Sequence, residues 1–262
     1  MNIRPYFLIF KTTLAQEMSY RLNYFFGYIL HITQLLIFLA VWSLLFTQQR
    51  EVGNYTWTDM ATYYALSMII LPVYFPSHMF ELQPLIRKGT LSSLLLKPIR
   101  LEAQIIAKFS ATKLPVCITL SALTLLVFYV VGIDLKLSIT PLAIVFLLFS
   151  FFLVLSFGLC MSTLAFWLVE MWPLNRSFQG FMALLGGGIA PLDLLPDYIQ
   201  ICARFTPFPY LGYLPVKALQ GLIPAHELQV HIVTAAVWAG LFAFGFKLLW
   251  KLGLKRYEAV NI

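Results

Sequence analysis

The stretch Pro141–Val169, PLAIVFLLFSFFLVLSFGLCMSTLAFWLV, decides the fold class of this chain. It contains no charged side chain, and at 1.5 Å per helical residue it is long enough to cross a hydrocarbon core about 30 Å thick. An outer-membrane barrel is excluded, because its strands are roughly 10-residue segments of alternating hydrophobicity. The stretch therefore predicts a transmembrane helix.

Five similar stretches lie on either side of it, so we predict an all-α polytopic membrane protein whose residues 1–262 form one transmembrane domain with six transmembrane helices. The six predicted spans are residues 22–46, 57–80, 103–131, 141–169, 174–195 and 230–252. The fifth span is the least regular, because Asn175, Arg176 and the three glycines at 186–188 interrupt it. The first span is too long for the apolar core of a signal peptide, and we expect it to stay in the mature protein.

The composition supports a membrane protein and excludes a soluble cytosolic enzyme. Of the 262 residues, 60% are hydrophobic and only 11% are charged, whereas a soluble domain carries about 25% charged residues. The net charge of +7 would also suit a nucleic-acid partner. Basic residues at the cytoplasmic ends of membrane helices explain the same excess, so we expect no nucleic-acid partner.

The positions of the basic residues predict how the chain is oriented. Only Arg50, Lys136, Arg204 and Lys217 of the 18 lysines and arginines fall on the side opposite the termini. Because cytoplasmic loops carry the excess of lysine and arginine, both termini are predicted to be cytoplasmic.

Two cytoplasmic segments carry recognisable patterns. Residues 1–20 mix apolar and polar side chains and predict an interfacial helix on the cytoplasmic leaflet. Residues 81–100 form the longest cytoplasmic loop, and its leucines fall at helical spacing on one face. The candidate contact residues of this loop are Arg87, Lys88, Gly89, Leu91, Leu94, Leu95, Lys97 and Pro98. The pattern suits a short helix that either docks onto a cytoplasmic protein or rests on lipid headgroups.

The outer segment 190–221 contains five prolines interleaved with aromatic residues. Proline at this density excludes one continuous helix, and the frequent apolar residues exclude a hydrated linker. We therefore predict short, broken re-entrant helices at the outer interface. Its candidate gate residues are Pro191, Asp193, Pro196, Asp197, Pro207, Phe208 and Pro209.

Motifs for catalysis and cofactor binding fail on spacing. His226 and His231 outline a zinc-protease motif but stand five residues apart, which places the imidazoles roughly 140° apart around a helix. The segment 240–247 has the outline of a phosphate loop but lies inside an apolar span without a preceding strand. The chain is therefore predicted to be non-catalytic and to bind no metal or cofactor itself.

Polar residues inside a span are costly in lipid and tend to face protein or a water-filled cavity. His31 and Gln34 lie three residues apart in the first span and share a helix face. We expect this face to line either a translocation pathway or a seam between subunits.

Taken in order, these segments resemble the membrane subunit of a type-2 ATP-binding-cassette exporter, in the bacterial branch of small six-span permeases with a separate ATPase. The resemblance rests on three motifs and their placement: the loop 87–98, the outer 191–197, and 206–210 followed by Pro215. It implies a location in the bacterial inner membrane. It also implies two cytoplasmic ATPase subunits, which bind ATP and Mg²⁺, and a second permease, identical or related, so that the permeases pair as a dimer. In the family the loop at about 83–98 is a coupling helix seated in the ATPase, and the N-terminal helix braces it.

Two other functions stay open on the sequence alone. One is a membrane assembly or structural factor that works without ATP, and the other is a lipid-modifying membrane enzyme, for which the inner face offers no polar cluster. For an exporter, the wide apolar faces favour an amphiphilic cargo such as a lipid, glycolipid, peptide or antibiotic. The sequence does not distinguish among these cargoes, nor a homodimer from a heterodimer.

Overall fold

The computed structural model describes residues 3–19, 21–168 and 170–260, and within them it contains helices and no strand. The predicted boundaries at Tyr20 and Val169, together with residues 1, 2, 261 and 262, lie outside the described residues. The helices in chain order are α1 Arg4–Ser19, α2 Arg21–Gln48, α3 Trp57–Tyr74, α4 Leu82–Arg87, α5 Leu91–Leu95, α6 Leu101–Val131, α7 Pro141–Ser162, α8 Trp172–Leu184, α9 Asp197–Arg204, α10 Phe208–Leu211, α11 Tyr213–Gln220 and α12 Ala225–Val260. Short 3₁₀ turns occupy Ser77–Phe80, Thr163–Phe166 and Leu192–Leu194. The predicted all-α membrane fold is confirmed.

Five helical segments of the described chain are long and apolar enough to cross a membrane. They are Phe26–Gln48, Trp57–Arg87, Leu101–Val131, Pro141–Phe166 and Ala225–Tyr257. The fifth predicted span, residues 174–195, contains only the 13-residue helix α8. A helix of that length covers about 20 Å, so the count of six spans stays a prediction.

Local sequence signals account for the helix ends. Thr56 and Asp59 form a reciprocal capping box at the start of α3. Thr140 caps α7, whose first residue is Pro141, and Gly132 ends α6 at φ +74°, a backbone angle that favours glycine. Helix α8 stops because the chain turns through Gly187, which has φ +78°.

Helix α3 ends between Pro72 and Pro76, and Lys113 of α6 donates a hydrogen bond to the backbone carbonyl that this break leaves without a partner. The carbonyl of Pro72 would normally accept from the N–H of residue 76, but Pro76 has none. The Lys113 Nζ donates to this carbonyl at 2.7 Å and lies 5.3 Å from the centre of the Phe109 ring. The break therefore leaves no open carbonyl at this position.

The buried apolar side chains form two separate cores. The main core draws buried residues from α2, from α3 and from each of the helices α6 to α12, with α7 and α12 packed along each other. The second core lies beneath α4 and α5, and we call it the loop cluster. It consists of Leu82, Leu91, Leu101, Ile105, Leu159, Ala165, Phe166 and Met171. The loop at 81–100 is thus packed on its own apolar base.

The predicted outer segment is a series of short helices, as expected. Helices α9, α10 and α11 lie between Pro196 and Gly221; a turn that contains Pro207 separates α9 from α10, and Gly212 separates α10 from α11. Helix α1 packs beside the first half of α6: the Tyr6 hydroxyl accepts from the Arg100 N–H, and Thr112 donates to Glu17. No side chain of α1 among the described residues is buried, so its contact with the bundle is shallow.

Candidate functional site

Three regions of the structure hold the residues singled out by sequence. The Arg87 end contains α4, α5 and the loop cluster, and the Asp193 end contains the segments between α8 and α12. Between them, a cavity of about 470 Å³ opens among α2, α3 and α8. Each region is built by residues distant in the chain.

The cavity brings the two polar residues of the first predicted span to one place. His31 and Gln34 both line it, with Ser67 from α3 and Gln179 from α8. The rest of the lining is apolar or glycine: Phe38, Met68, Leu71, Pro72, Phe75, Met182, Ala183, Gly188 and Ile189. Sequence reasoning missed Ser67 and Gln179, because helical spacing shows a shared face only within one helix.

At the Arg87 end the loop faces both inward and outward. Leu91 is fully buried in the loop cluster and Leu94 is partly buried, so both anchor the loop to this chain. Leu95 is 42% exposed and Leu96 is 87% exposed. Leu96 was missed as a candidate contact residue, because it does not share the helical spacing of Leu91, Leu94 and Leu95.

The other candidate residues of this loop fall into two groups, one paired within the chain and one exposed. Arg87 Nη1 lies 2.8 Å from Glu170 Oε1, and Gln83 donates to the other oxygen of the same carboxylate. Lys88, Gly89, Lys97 and Pro98 are exposed. Glu170 lies two residues before the start of α8, so α4 is tied to the helix that borders the cavity.

A second connection joins the loop to the last helix. The hydroxyls of Ser92 and Tyr257 lie 2.9 Å apart, and Tyr257 packs against the loop cluster together with Trp250 and Leu254 of α12. Helix α12 thus extends past the predicted boundary at residue 252 to reach α5. No spacing pattern in the sequence predicts this contact, which spans 165 residues.

At the Asp193 end a buried tyrosine and a lysine converge on one carboxylate. The Tyr55 hydroxyl donates to Asp193 at 2.9 Å, and Lys217 Nζ lies 2.8 Å from its Oδ2. Burial raises the pKa of the Tyr55 hydroxyl, which keeps the proton it donates. Gln200 adds a bond from its amide to the Asp193 carbonyl at 3.3 Å. We call these four residues the Asp193 network.

Further hydrogen bonds attach the segments between α8 and α12 to α3. Tyr63 and Tyr64 donate to the carbonyls of Gly187 and Ile189, each at 2.7 Å. Gln220 donates to the Asp59 carbonyl at 2.8 Å. The chain after α8 is therefore attached to the first turns of α3 by hydroxyl and amide groups.

The seven predicted gate residues do not form one site. Pro191 and Asp193 lie at the Asp193 network, whereas Pro196 and Asp197 are exposed at the start of α9. Phe208 packs instead on aromatic rings of α7 and α8, with its ring centre 5.3 Å from that of Phe181. The flanking Pro207 and Pro209 are buried. Tyr55, Gln200 and Lys217, which complete the network, were missed because no local motif links them to Asp193.

Nothing in this arrangement resembles a metal centre. No group of three or more histidine, cysteine, aspartate or glutamate side chains that could hold a metal ion occurs in the described part of the chain. His226 and His231 have different neighbours: His226 lies 3.8 Å from Glu227, and His231 lies 3.5 Å from the Tyr210 hydroxyl.

Comparison with known proteins agrees with the geometry. A family described as ABC-2 family transporter protein matches residues 30–260, which is most of the chain. A search of curated proteins finds no match. The match includes the cavity, the loop above its own apolar cluster and the short helices of the Asp193 end. The chain therefore belongs to the ABC-2 transporter family and is a transmembrane permease subunit of an ABC transporter.

Proposed function

We propose that this chain forms half of the translocation pathway of an ATP-driven exporter for an amphiphilic cargo. It crosses the bacterial inner membrane six times with both termini in the cytoplasm. A second permease, identical or related, supplies the other half. Two cytoplasmic ATPase subunits bind ATP and Mg²⁺ and drive the pair.

One observation carries this proposal: one side of the loop at 81–100 packs on the loop cluster, while another side exposes apolar side chains. Leu82 and Leu91 are fully buried in the loop cluster, while Leu95 and Leu96 project beside exposed lysines. Exposed apolar side chains rimmed by polar groups mark protein contact sites. An ATPase subunit that grips Leu95 and Leu96 would move the loop together with its apolar base.

Two contacts supply a route from the loop to the cavity. The Arg87–Glu170 pair joins α4 to the start of α8, and Gln179, Met182 and Ala183 of α8 line the cavity. Ser92 joins α5 to Tyr257 of α12. A displacement of the loop would therefore pull on two helices at once, and one of them forms a cavity wall.

The Asp193 end suits the opposite role, a cap on the exit. Its short helices are attached to α3 through the Asp193 network and through Tyr63 and Tyr64. Hydroxyl and amide bonds of this kind can break and re-form without unfolding a long helix. Opening would then separate α9–α11 from the start of α3.

The test of coupling compares two leucines of equal exposure at opposite ends. Leu95 and Leu222 are each 42% exposed. We expect Leu95→Asp to abolish co-purification of the ATPase and to lower ATP-dependent transport at least tenfold, because a carboxylate cannot be buried cheaply in an apolar contact. Leu222→Asp should leave both unchanged. An ATPase that binds and drives the Leu95→Asp and Leu96→Asp variants normally would contradict the proposal.

The test of orientation uses a native cysteine. Cys202 is exposed on α9 at the Asp193 end. A membrane-impermeant maleimide applied to intact cells should label Cys202 but should not label Ser93→Cys in a Cys202→Ser background. After permeabilisation the introduced cysteine should react. Labelling of residue 93 in intact cells would refute both the cytoplasmic loop and the coupling role.

A further inference from the structure

We propose that the cavity between α2, α3 and α8 binds the headgroup of the cargo and that this headgroup is uncharged and rich in hydrogen-bonding groups. The inference rests on the proposed transport function and specifies the chemical class of the cargo. It follows from the polar atoms that the cavity leaves unpaired and from the absence of formal charge in its described lining.

The size and walls of the cavity suit part of an amphiphile. Its volume of about 470 Å³ falls in the range of small-molecule sites, which is about 300–1,000 Å³. Aliphatic and aromatic side chains from three helices make most of the lining, among them Phe38, Leu71, Phe75 and Met182. Such walls accommodate the apolar body of an amphiphile, and the few polar groups of the lining can bind its polar end.

Two buried polar atoms at the cavity lack a partner. His31 Nδ1 and Ser67 Oγ are buried and make no hydrogen bond of standard geometry within the described part of the chain. Ser67 lies beside the Tyr63 hydroxyl, but that hydroxyl donates its proton to the Gly187 carbonyl at 2.7 Å. Hydroxyls in membrane helices usually bond to the carbonyl three or four residues earlier. Ser156 and Thr234 of this chain do so, whereas Ser67 does not. An unpaired polar atom is expensive in a membrane, so a ligand group that completes both bonds is favoured.

The available groups select a ligand that both donates and accepts. A neutral imidazole offers one donor and one acceptor, and a serine hydroxyl offers both. Gln34 and Gln179 stand in the same lining with their side chains exposed, and each amide again offers donors and acceptors. A headgroup with several hydroxyls or amides, such as a sugar or a polyol, matches this set.

The described lining contains no aspartate, glutamate, lysine or arginine. Two cations lie close to it, but both are engaged. Lys113 donates to the Pro72 carbonyl at 2.7 Å, 5.9 Å from the centre of the Phe75 ring, and Arg176 Nη1 lies 3.4 Å from the Gln179 oxygen. A charged headgroup would therefore have to take a cation from its present partners or stay uncompensated in a medium of low dielectric constant.

The experiment uses three photoreactive probes with the same dodecyl chain and different ends: a glucoside, a phosphate and a trimethylammonium group. The purified full chain in lipid nanodiscs is irradiated with each probe, and the labelled residues are mapped by mass spectrometry. We expect the glucoside probe to label α2, α3 and α8 at least tenfold more than either charged probe. Equal or stronger labelling by the phosphate or ammonium probe would overturn the proposal.

Variants show whether the unpaired atoms are responsible. His31→Leu combined with Ser67→Ala should lower glucoside labelling about tenfold, as expected for the loss of two hydrogen bonds. His31→Gln should retain most of the labelling, because an amide still donates and accepts. Ser156→Ala is the matched control, since its hydroxyl bonds to the Leu153 carbonyl outside the cavity, and it should label normally. Unchanged labelling of the double variant would contradict the assignment.

Two further results separate this inference from the proposed function. Cross-links between two copies of the chain through the cavity lining would show that a neighbouring permease fills it, which refutes the headgroup site and leaves the exporter intact. Selective glucoside labelling in a chain that binds no ATPase would refute the exporter and leave the site standing. The labelling needs no ATP, so the two outcomes are independent.

Discussion

Asp193 and Glu170 each join segments that are far apart in the chain, but the two carboxylates do so in different surroundings. The Asp193–Lys217 pair is 31% and 17% exposed and is supplemented by a hydroxyl that is almost fully buried. The Glu170–Arg87 pair is 47% and 59% exposed. A solvated ion pair contributes about 0–1 kcal/mol, whereas removing one partner from a buried set leaves the others unsatisfied.

The Asp193 end and the Arg87 end are stabilised by different kinds of contact. The Asp193 end is stabilised by specific polar bonds among buried and half-buried side chains, so its segments hold one arrangement until several bonds break. The Arg87 end is stabilised by apolar packing in the loop cluster, which tolerates small sliding movements, and by exposed ion pairs that are easily exchanged. The second kind of attachment suits the coupling role proposed for this loop, because it would let the loop move without breaking buried polar bonds.

The largest effect is expected at Asp193. Asp193→Ala should lower the free energy of unfolding by about 3 kcal/mol, because it leaves the Lys217 ammonium and the Tyr55 hydroxyl without their acceptor. Titration with sodium dodecyl sulfate, followed by circular dichroism, measures this. Asp197→Ala is the control, since Asp197 is exposed, and it should change stability by less than about 0.5 kcal/mol. Equal effects of the two variants would remove the distinction between the ends.

An intermediate effect is expected from packing in the loop cluster. A Cβ added at Gly253 of α12 would overlap the Phe166 ring, so Gly253→Ala should destabilise the protein by about 2 kcal/mol. Gly240 lies on the same helix with no atom within 4 Å of an added Cβ. Gly240→Ala should therefore be neutral or slightly stabilising, because alanine favours a helix. The same detergent titration compares the two, and a neutral Gly253→Ala would show that the cluster is loosely packed.

The smallest effect on stability is expected at the exposed ion pair. Arg87→Ala should cost less than about 1 kcal/mol, because both side chains are largely solvated. Transport should fall far more than stability, since the link from α4 to α8 is lost. Lys88→Ala serves as control, as Lys88 is exposed in the same loop. If Arg87→Ala unfolds the protein or transports normally, the pair does not act as a coupling contact.

Local patterns predicted much of the fold but little of the site. Uncharged runs such as Pro141–Val169 identify helices, because length and hydropathy are properties of contiguous residues. Proline density correctly indicated the short helices after residue 190. The same reasoning overestimated the helix at 174–195, which ends at Leu184, because the turn at Gly186–Gly188 is held by tyrosines of a different helix.

Site residues were found only where the signal lay within one helix. His31 and Gln34 share a face, and the structure places both at the cavity. Leu91 and Leu95 have the spacing of one helix face, yet Leu91 is buried and Leu95 is exposed, because the loop cluster encloses the first residue of this five-residue helix and does not include its last. The partners Tyr55 and Asp193 are 138 residues apart, a separation at which no periodicity connects them.

By itself, the sequence determined that this chain is a helical membrane protein, where its apolar helices run and which loops collect positive charge. These properties follow from the free energy of transferring contiguous residues into lipid, which depends on the residues of each segment and not on its neighbours in space. Only the tertiary structure decided which polar atoms pair, which stay unpaired at the cavity and which leucines of the loop stay exposed. Those outcomes depend on side chains from several helices meeting at one point, and such meetings are set by packing in three dimensions.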